Sequence, residues 1–425
     1  MNNKINYQFT QLDIDFLHKV YIMRCLTLHQ AYKYFYKNRY TLEELIKKVL
    51  LPMQIEKIIK IVPFMGNYAI LLDRKGHNYL RDNILVKEVM DSDRNKIKRG
   101  YNNLGENNME TRIMNHQVHL NEFVLETEEN IKSINIGTNY NITYDYKDEK
   151  QVSKYYYIRP DGLLSLNIIN ENNNKTSFDF FLEMDMSSER SNQLVHKFKR
   201  YNDFVKSREF YARHEKIVVL FIVANSERIE ERKRLIRKIF NENFARYNNR
   251  FELYIGNKSE CLNILFNLAL GKKDSVDIIK NSNIASSIQN IIKSSELNLE
   301  EINIPKYLLR LNSGKMFFYD SYIDSPGSVI SKIMYYHRIN GSYKLKYKQD
   351  IDYLVVTKDP LKTLLDLEAL NIAGTKNVYF TTLERLNTMP LYEAIYIYGY
   401  DGSISHFTDE TFTRLIFEQN LRDKK

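Results

Sequence analysis

Two cysteines in 425 residues, Cys25 and Cys261, set the first exclusions. They lie far apart, so the chain has neither a disulfide framework nor a cysteine zinc cluster, and a reducing compartment suits it. Tryptophan is absent. Long apolar runs are absent too. The strongest, Ile217–Ala224, is far too short to cross a bilayer and reads as a buried strand. The opening Met1-Asn-Asn-Lys-Ile5 lacks the apolar core of a signal peptide. The expectation is a cytoplasmic protein with no membrane partner. No internal repeat is visible, and no Gly-rich loop or Walker-type Gly-Lys-Ser/Thr accompanies the Thr357-Lys358-Asp359-Pro360 turn. His116 and His119 form His-x-x-His without the glutamate that a zinc protease needs.

What is present is a chain long enough for two or three domains. It is 43% hydrophobic and 13% aromatic, the aromatics being mostly its 32 tyrosines, so real cores are expected. The formal net charge of +9 favours an anionic partner such as nucleic acid.

Organisation emerges along the chain. Apolar residues from Leu12 to Met23 recur at helical spacing. Thr27 caps a second helix, Leu28 to Tyr36, and Thr41-Leu-Glu-Glu44 is a capping box for a third. Pro52 opens a short fourth, Met53 to Lys60. Two apolar stretches then flank Gly66-Asn67, a hairpin signal. Helices followed by a hairpin is the order of a winged helix, expected over residues 1–81. Its cations would be Lys47, Lys48, Lys57 and Lys60 on the two later helices, with Arg74 and Lys75 at the wing. Such lysines set affinity for double-stranded DNA rather than sequence choice.

Residues 82–109 read as a polar, partly helical linker. From 110 to 257 the pattern is helix, three strands, helix, strand, helix, strand, the strands falling at Lys154–Ile158, Gly162–Ile169, Phe178–Met186, Ile217–Ala224 and Phe251–Ile255. Residues 258–303 look like a helical connector. A small α/β domain is expected over 304–425, with a βαβ-like unit at Asp352–Val356, Leu361–Leu370 and Val378–Thr381. The basic stretch Glu230–Lys238 reads as a solvated helix face.

The residues most suggestive of chemistry lie in the middle segment. Asp161 heads one strand. Glu183 and Asp185 stand two apart on its partner and so share a face. Three converging carboxylates would make a hard-cation site of the kind that holds Mg²⁺. On the following helix, Gln193, Lys197 and Tyr201 form an i, i+4, i+8 stripe that would face the same place.

Taken together, Pro160-Asp161-Gly162, Glu183-x-Asp185 and Lys197-x-x-x-Tyr201 resemble the nuclease-like domain of the replication–relaxation family. Leu26-Thr27-x-x-Gln30 and Tyr68-x-x-x-x-Asp73-x-x-Gly76 resemble that family's winged-helix start, and His116-x-x-x-Leu120-Asn121-Glu122 resembles the helix entering its nuclease-like domain. The resemblance covers roughly the first 250 residues. It implies a winged helix joined to a domain related to PD-(D/E)xK nucleases, in proteins of bacterial plasmids and mobile elements.

One departure bears on activity. Asp185 stands where an active nuclease carries lysine, reversing the charge that would help position the attacking water. Lys197 is the candidate substitute. The reading is therefore a multidomain α/β DNA-binding accessory protein or regulator of replication or transfer, its nuclease-like domain degenerate and a homodimer compatible with it. The alternatives are a Mg²⁺-dependent endonuclease using Asp161, Glu183, Asp185, Lys197 and Tyr201, and a protein-binding scaffold.

Overall fold

The computed structural model describes residues 6–84, 88–91, 96–99, 109–149, 158–187, 189–212, 216–224, 227–244, 250–271, 279–282, 285–293 and 307–407. The chain is a mixed α/β protein of several sheets. It divides into two compact units, residues 1–176 with 181–186, and residues 177–180 with 187–425.

The first unit opens with α1 (Gln11–Met23), capped by Thr10 and Asp13 in a reciprocal box. After the short strand β1 (Leu26–Thr27), Thr27 caps α2, which runs as an α-turn over Leu28–Ala31 and a π-turn over Tyr32–Tyr36. Thr41 and Glu44 cap α3 as expected. The third and fourth expected helices are one element. α3 runs through Leu42–Leu45, a π-turn over Ile46–Leu50, and Leu51–Ile55. Pro52, which has no amide to donate, stops this helix only if the regular bonding ladder must pass through it. Here the ladder is already reset by one residue, with Leu51 N–H donating to Ile46 O.

Strands β2 (Ile59–Phe64) and β3 (Asn67–Leu72) pair antiparallel, Phe64 facing Asn67, so the turn residues are Met65 and Gly66 rather than Gly66 and Asn67. Both have positive φ, 46° and 75°, the pair of signs that a tight two-residue hairpin turn requires. The sheet order is β1-β3-β2. Helix α4 (Arg74–Asn83) follows with Asp73 as N-cap. In the expected linker, β4 (Glu88–Asp91) and β5 (Lys96–Arg99) form a hairpin where a partly helical stretch was anticipated.

Helix α5 (Thr111–Gly137) carries the chain into the hairpin of β6 (Asn141–Asp148) and β7 (Gly162–Ile169). Most of the expected strand at 154–158 lies outside the described residues. β6 carries that place in the sheet. β8 (Lys175–Asp185) contributes residues to both units.

In the second unit, α6 (Ser191–Val205), α7 (Arg208–Tyr211), β9 (Lys216–Val223), α8 (Ile229–Asn243), β10 (Phe251–Gly256) and α9 (Lys258–Ala269) follow in order, with β9 and β10 parallel. The expected connector is not wholly helical, since β11 (Ile288–Lys293) pairs with β12 (Tyr307–Leu311) as the edge of a seven-stranded sheet. That sheet continues through β13 (Met316–Tyr322), β14 (Asp352–Thr357), β15 (Val378–Thr382), β16 (Tyr396–Tyr398) and β17 (Ile404–His406). β13, β14 and β15 are parallel, joined through α10 (Gly327–Met334), α11 (Tyr336–Tyr347) and α12 (Pro360–Glu368). Strand alternation gives the sheet two cores: Phe318, Tyr353, Val355 and Phe380 pack on one face with Ile330 and Leu367, and Phe317, Leu354, Val356 and Tyr379 on the other with Leu386.

Candidate functional site

Pro160 and the turn after it set Asp161 at the head of β7. Its Oδ2 accepts a hydrogen bond from the Met184 amide at 2.8 Å and lies 3.2 Å from His116 Nε2 on α5. The same Nε2 is 3.0 Å from Met184 O. Both partners of that nitrogen are acceptors, so the proton sits on Nε2 and is shared between them. Asp161 is thus held against the backbone of β8 between Glu183 and Asp185, which are 1% and 0% exposed. Gly162 permits this entry, because a Cβ there would lie 2.9 Å from the Tyr146 ring.

The three carboxylates do not form the expected cation site. Among the described residues, no group of three or more His, Cys, Asp or Glu side chains is placed to hold a metal ion. Asp161 Oδ2 is engaged by the Met184 amide and the His116 imidazole.

Around this point α5 engages the N-terminal helices with a row of polar side chains. Asn121 Nδ2 donates to Met23 O and Cys25 O, the carbonyls at the end of α1. Gln117 donates to Asn121 Oδ1 at 2.8 Å and accepts from Arg24, whose φ of 64° turns the chain out of α1. Arg24 Nε also stands 3.8 Å from Asp148 on β6. Gln30 closes the α2 cap and donates onward to Val118 O and Glu122. Burial opposes the charge on Glu122, but hydrogen bonds from Tyr34, Lys33 and Gln30 outweigh it and hold its carboxyl below the usual range. Lys19–Glu128 and Lys37–Glu129 extend the row.

Residues 17–220 match the replication-relaxation family. The resemblance read from the short motifs is borne out over that span. No curated protein and no solved structure matches the chain. In the replication-relaxation span, two pairs of those motif residues meet, Gln30 with Glu122 and His116 with Asp161. Asn121 holds the strand-entry carbonyls. Gly76 lies so close to β2 that a Cβ would sit 2.2 Å from Ile58 O. His116 and Asn121 appear in the sequence motif without an evident task. Arg24, Gln117 and Asp148 carry no motif signal, and only the docked helix reveals them.

The other expected residues are distributed as follows. Lys197 and Tyr201 belong to the second unit. Lys197 pairs with Glu189 at 3.0 Å and lies over the Phe221 ring. Tyr201 is a core residue against Phe251, and Gln193 accepts from Arg190 N–H, capping its own helix. The expected stripe is thus divided among a part-buried ion pair, a core aromatic and a cap.

Lys47 and Lys48 lie on α3, paired with Glu43 and Glu44 one turn earlier. The Lys48 ammonium, with the Thr41 amide, holds the Glu44 carboxyl down at about 2. Lys57 is not helical: its φ of 58° ends α3. Lys60 is on strand β2, exposed. Arg74 and Lys75 begin α4, away from the hairpin turn, and Lys75 pairs with Glu56 at 3.3 Å. The departures at Lys57 and Lys60 follow from α3 ending at Ile55, which makes the next residues turn and strand.

The basic stretch 230–238 is not simply solvated, since Lys233 and Arg237 are buried. Asp359 caps α12 with its own carboxylate, as the turn chemistry predicts. Burial pushes the Cys25 thiol up to about 12, so it is no nucleophile. No helix among the described residues is long and apolar enough to cross a membrane.

Proposed function

We propose that this is a cytoplasmic DNA-binding accessory protein or regulator in the replication or transfer of a plasmid or other mobile element. In this reading residues 1–81 are a winged helix, and residues 110–257 are a PD-(D/E)xK-like domain that has lost turnover. The family match supplies the link to replication. The observation that carries DNA binding is the order α1, β1, α2, α3, then the β2–β3 hairpin, in a sheet ordered β1-β3-β2. By this order we read α3, the helix before the hairpin, as the one that enters a major groove. Its lysines are held only by exposed i, i+4 pairs, worth a few tenths of a kcal/mol, which phosphates readily replace.

Loss of turnover is supported by Asp185 in the lysine position and by the engagement of Asp161. In a salt-series binding assay on duplex DNA, affinity should fall steeply with salt, and Lys47→Glu/Lys48→Glu should flatten that slope by about two charges. Salt-independent or absent binding would favour a protein-binding scaffold instead. Supercoiled plasmid with Mg²⁺ or Mn²⁺ should stay intact. Nicking by the wild type that Glu183→Ala abolishes would establish the endonuclease reading.

A further inference from the structure

The outer face of α3 is unusual for a helix meant only to touch phosphates. Glu43, Lys47, Leu51 and Ile55 follow at steps of four and all are exposed. The stripe thus changes from charged to bare aliphatic along its length. Leu51 is 43% and Ile55 78% exposed. An isolated exposed leucine needs no explanation. Two branched aliphatics one turn apart, on the face that the hairpin order directs at DNA, do.

Cations bracket this apolar pair. Lys47 and Lys48 stand one turn before it, and Lys57 and Lys60 follow within five residues of Ile55, all four exposed. A protein-docking face is depleted of lysine at its centre, whereas a polyanion needs cations beside whatever reads its bases. Aliphatic side chains can make no hydrogen bond to a base edge. In the major groove the apolar group they can cover is the 5-methyl of thymine.

We infer that Leu51 and Ile55 read thymine methyl groups in the major groove, so that this protein selects T-bearing duplex sites by apolar contact rather than by bidentate hydrogen bonds. The inference rests on the DNA-binding reading above and specifies what that site recognises.

The test uses the full chain and two alternating duplexes of equal length, one of dA and dT, the other with every dT replaced by dU. The two duplexes differ in the methyl group alone. Covering one methyl is worth about fourfold in affinity, so two contacts give on the order of tenfold weaker binding to the dU duplex. Leu51→Ala/Ile55→Ala should bind both duplexes alike, at the wild-type dU affinity. Lys47→Ala/Lys48→Ala should weaken both and keep the ratio. Being surface substitutions, neither pair should change the melting temperature.

Failure to bind either duplex would remove the DNA-binding reading itself. Equal wild-type affinity for both would overturn the methyl reading alone. If Leu51→Ala/Ile55→Ala leaves the ratio unchanged but converts a sedimenting dimer to monomer, the face is a self-association surface and the inference is wrong.

Discussion

At the scale of single residues, two glycines show how identical chemistry takes opposite signs. Gly76 lies in α4 where a Cβ would meet Ile58 O at 2.2 Å and Ile58 C at 3.0 Å, both backbone atoms that cannot swing aside. Gly76→Ala must push α4 off the Ile58 backbone at the entry to β2, and a loss of about 3 kcal/mol is expected, at the upper end for overpacking. Gly341 lies inside α11 with open space around its Cα. Gly341→Ala should stabilise by roughly 1 kcal/mol, the helix-propensity difference. Urea unfolding of the two variants reads both directions. A neutral Gly76→Ala would mean that α4 is not seated against β2 as described.

At the scale of elements, α5 is the organiser of the first unit. Its cost and reward are visible in Asn121, whose amide donates to Cys25 O and adds a second bond to Met23 O, which the Cys25 N–H already reaches. Asn121→Leu keeps the volume but takes this donor from Cys25 O and this acceptor from Gln117, while Met23 O keeps the Cys25 N–H, and should destabilise by about 1–3 kcal/mol. Glu122 adds a pH dependence. Its folded pKa is depressed, so its contribution is complete above the unfolded carboxylate value of about 4.3 and is lost as pH falls through the lower folded value. Glu122→Gln should therefore melt lower than wild type at pH 7, and the gap should close towards pH 3. Parallel melting curves across that range would show that Glu122 contributes nothing through its charge.

These elements also show what a sequence discloses. The cap at Thr27 and the capping box at Thr41 are local and were legible, as were β7, β9 and β14, whose patterns are self-contained. The fusion of two helices through Pro52 was not, because a π-turn leaves no compositional mark. Lys60 is a separate error: the helix ends at Ile55, and running it on to Lys60 carried a strand residue onto it. The pairing of His116 with Asp161 spans 45 residues and depends on how α5 docks, so the motif showed which residues to watch but not what they touch.

At the scale of the whole molecule, the C-terminal α/β region is built into the second unit rather than appended to it. Arg237 of α8 is buried and pairs with Asp366 of α12, 129 residues away, while Tyr322 of β13 donates to the same carboxylate. Glu252 of β10 accepts from the Ser328 amide and hydroxyl at the start of α10. Lys362 of α12 lies 3.7 Å from Glu230 of α8. A chain ending near residue 257 would leave Arg237 and Glu252 without these partners, so it should be poorly soluble or fail to fold. Asp366→Ala tests the point without truncation. It leaves a buried guanidinium uncompensated, and removing one partner of a buried pair costs about 3–5 kcal/mol. Arg237→Met/Asp366→Leu removes both charges at similar volume and should recover most of that loss, because the desolvation of the pair disappears with it. If Asp366→Ala were harmless, the guanidinium would have to reach water, and the region beyond β11 would be a detachable domain. If the double variant were as unstable as the single one, the position would depend on the hydrogen bonds of Tyr322 and Asp366 rather than on balancing the charge of Arg237.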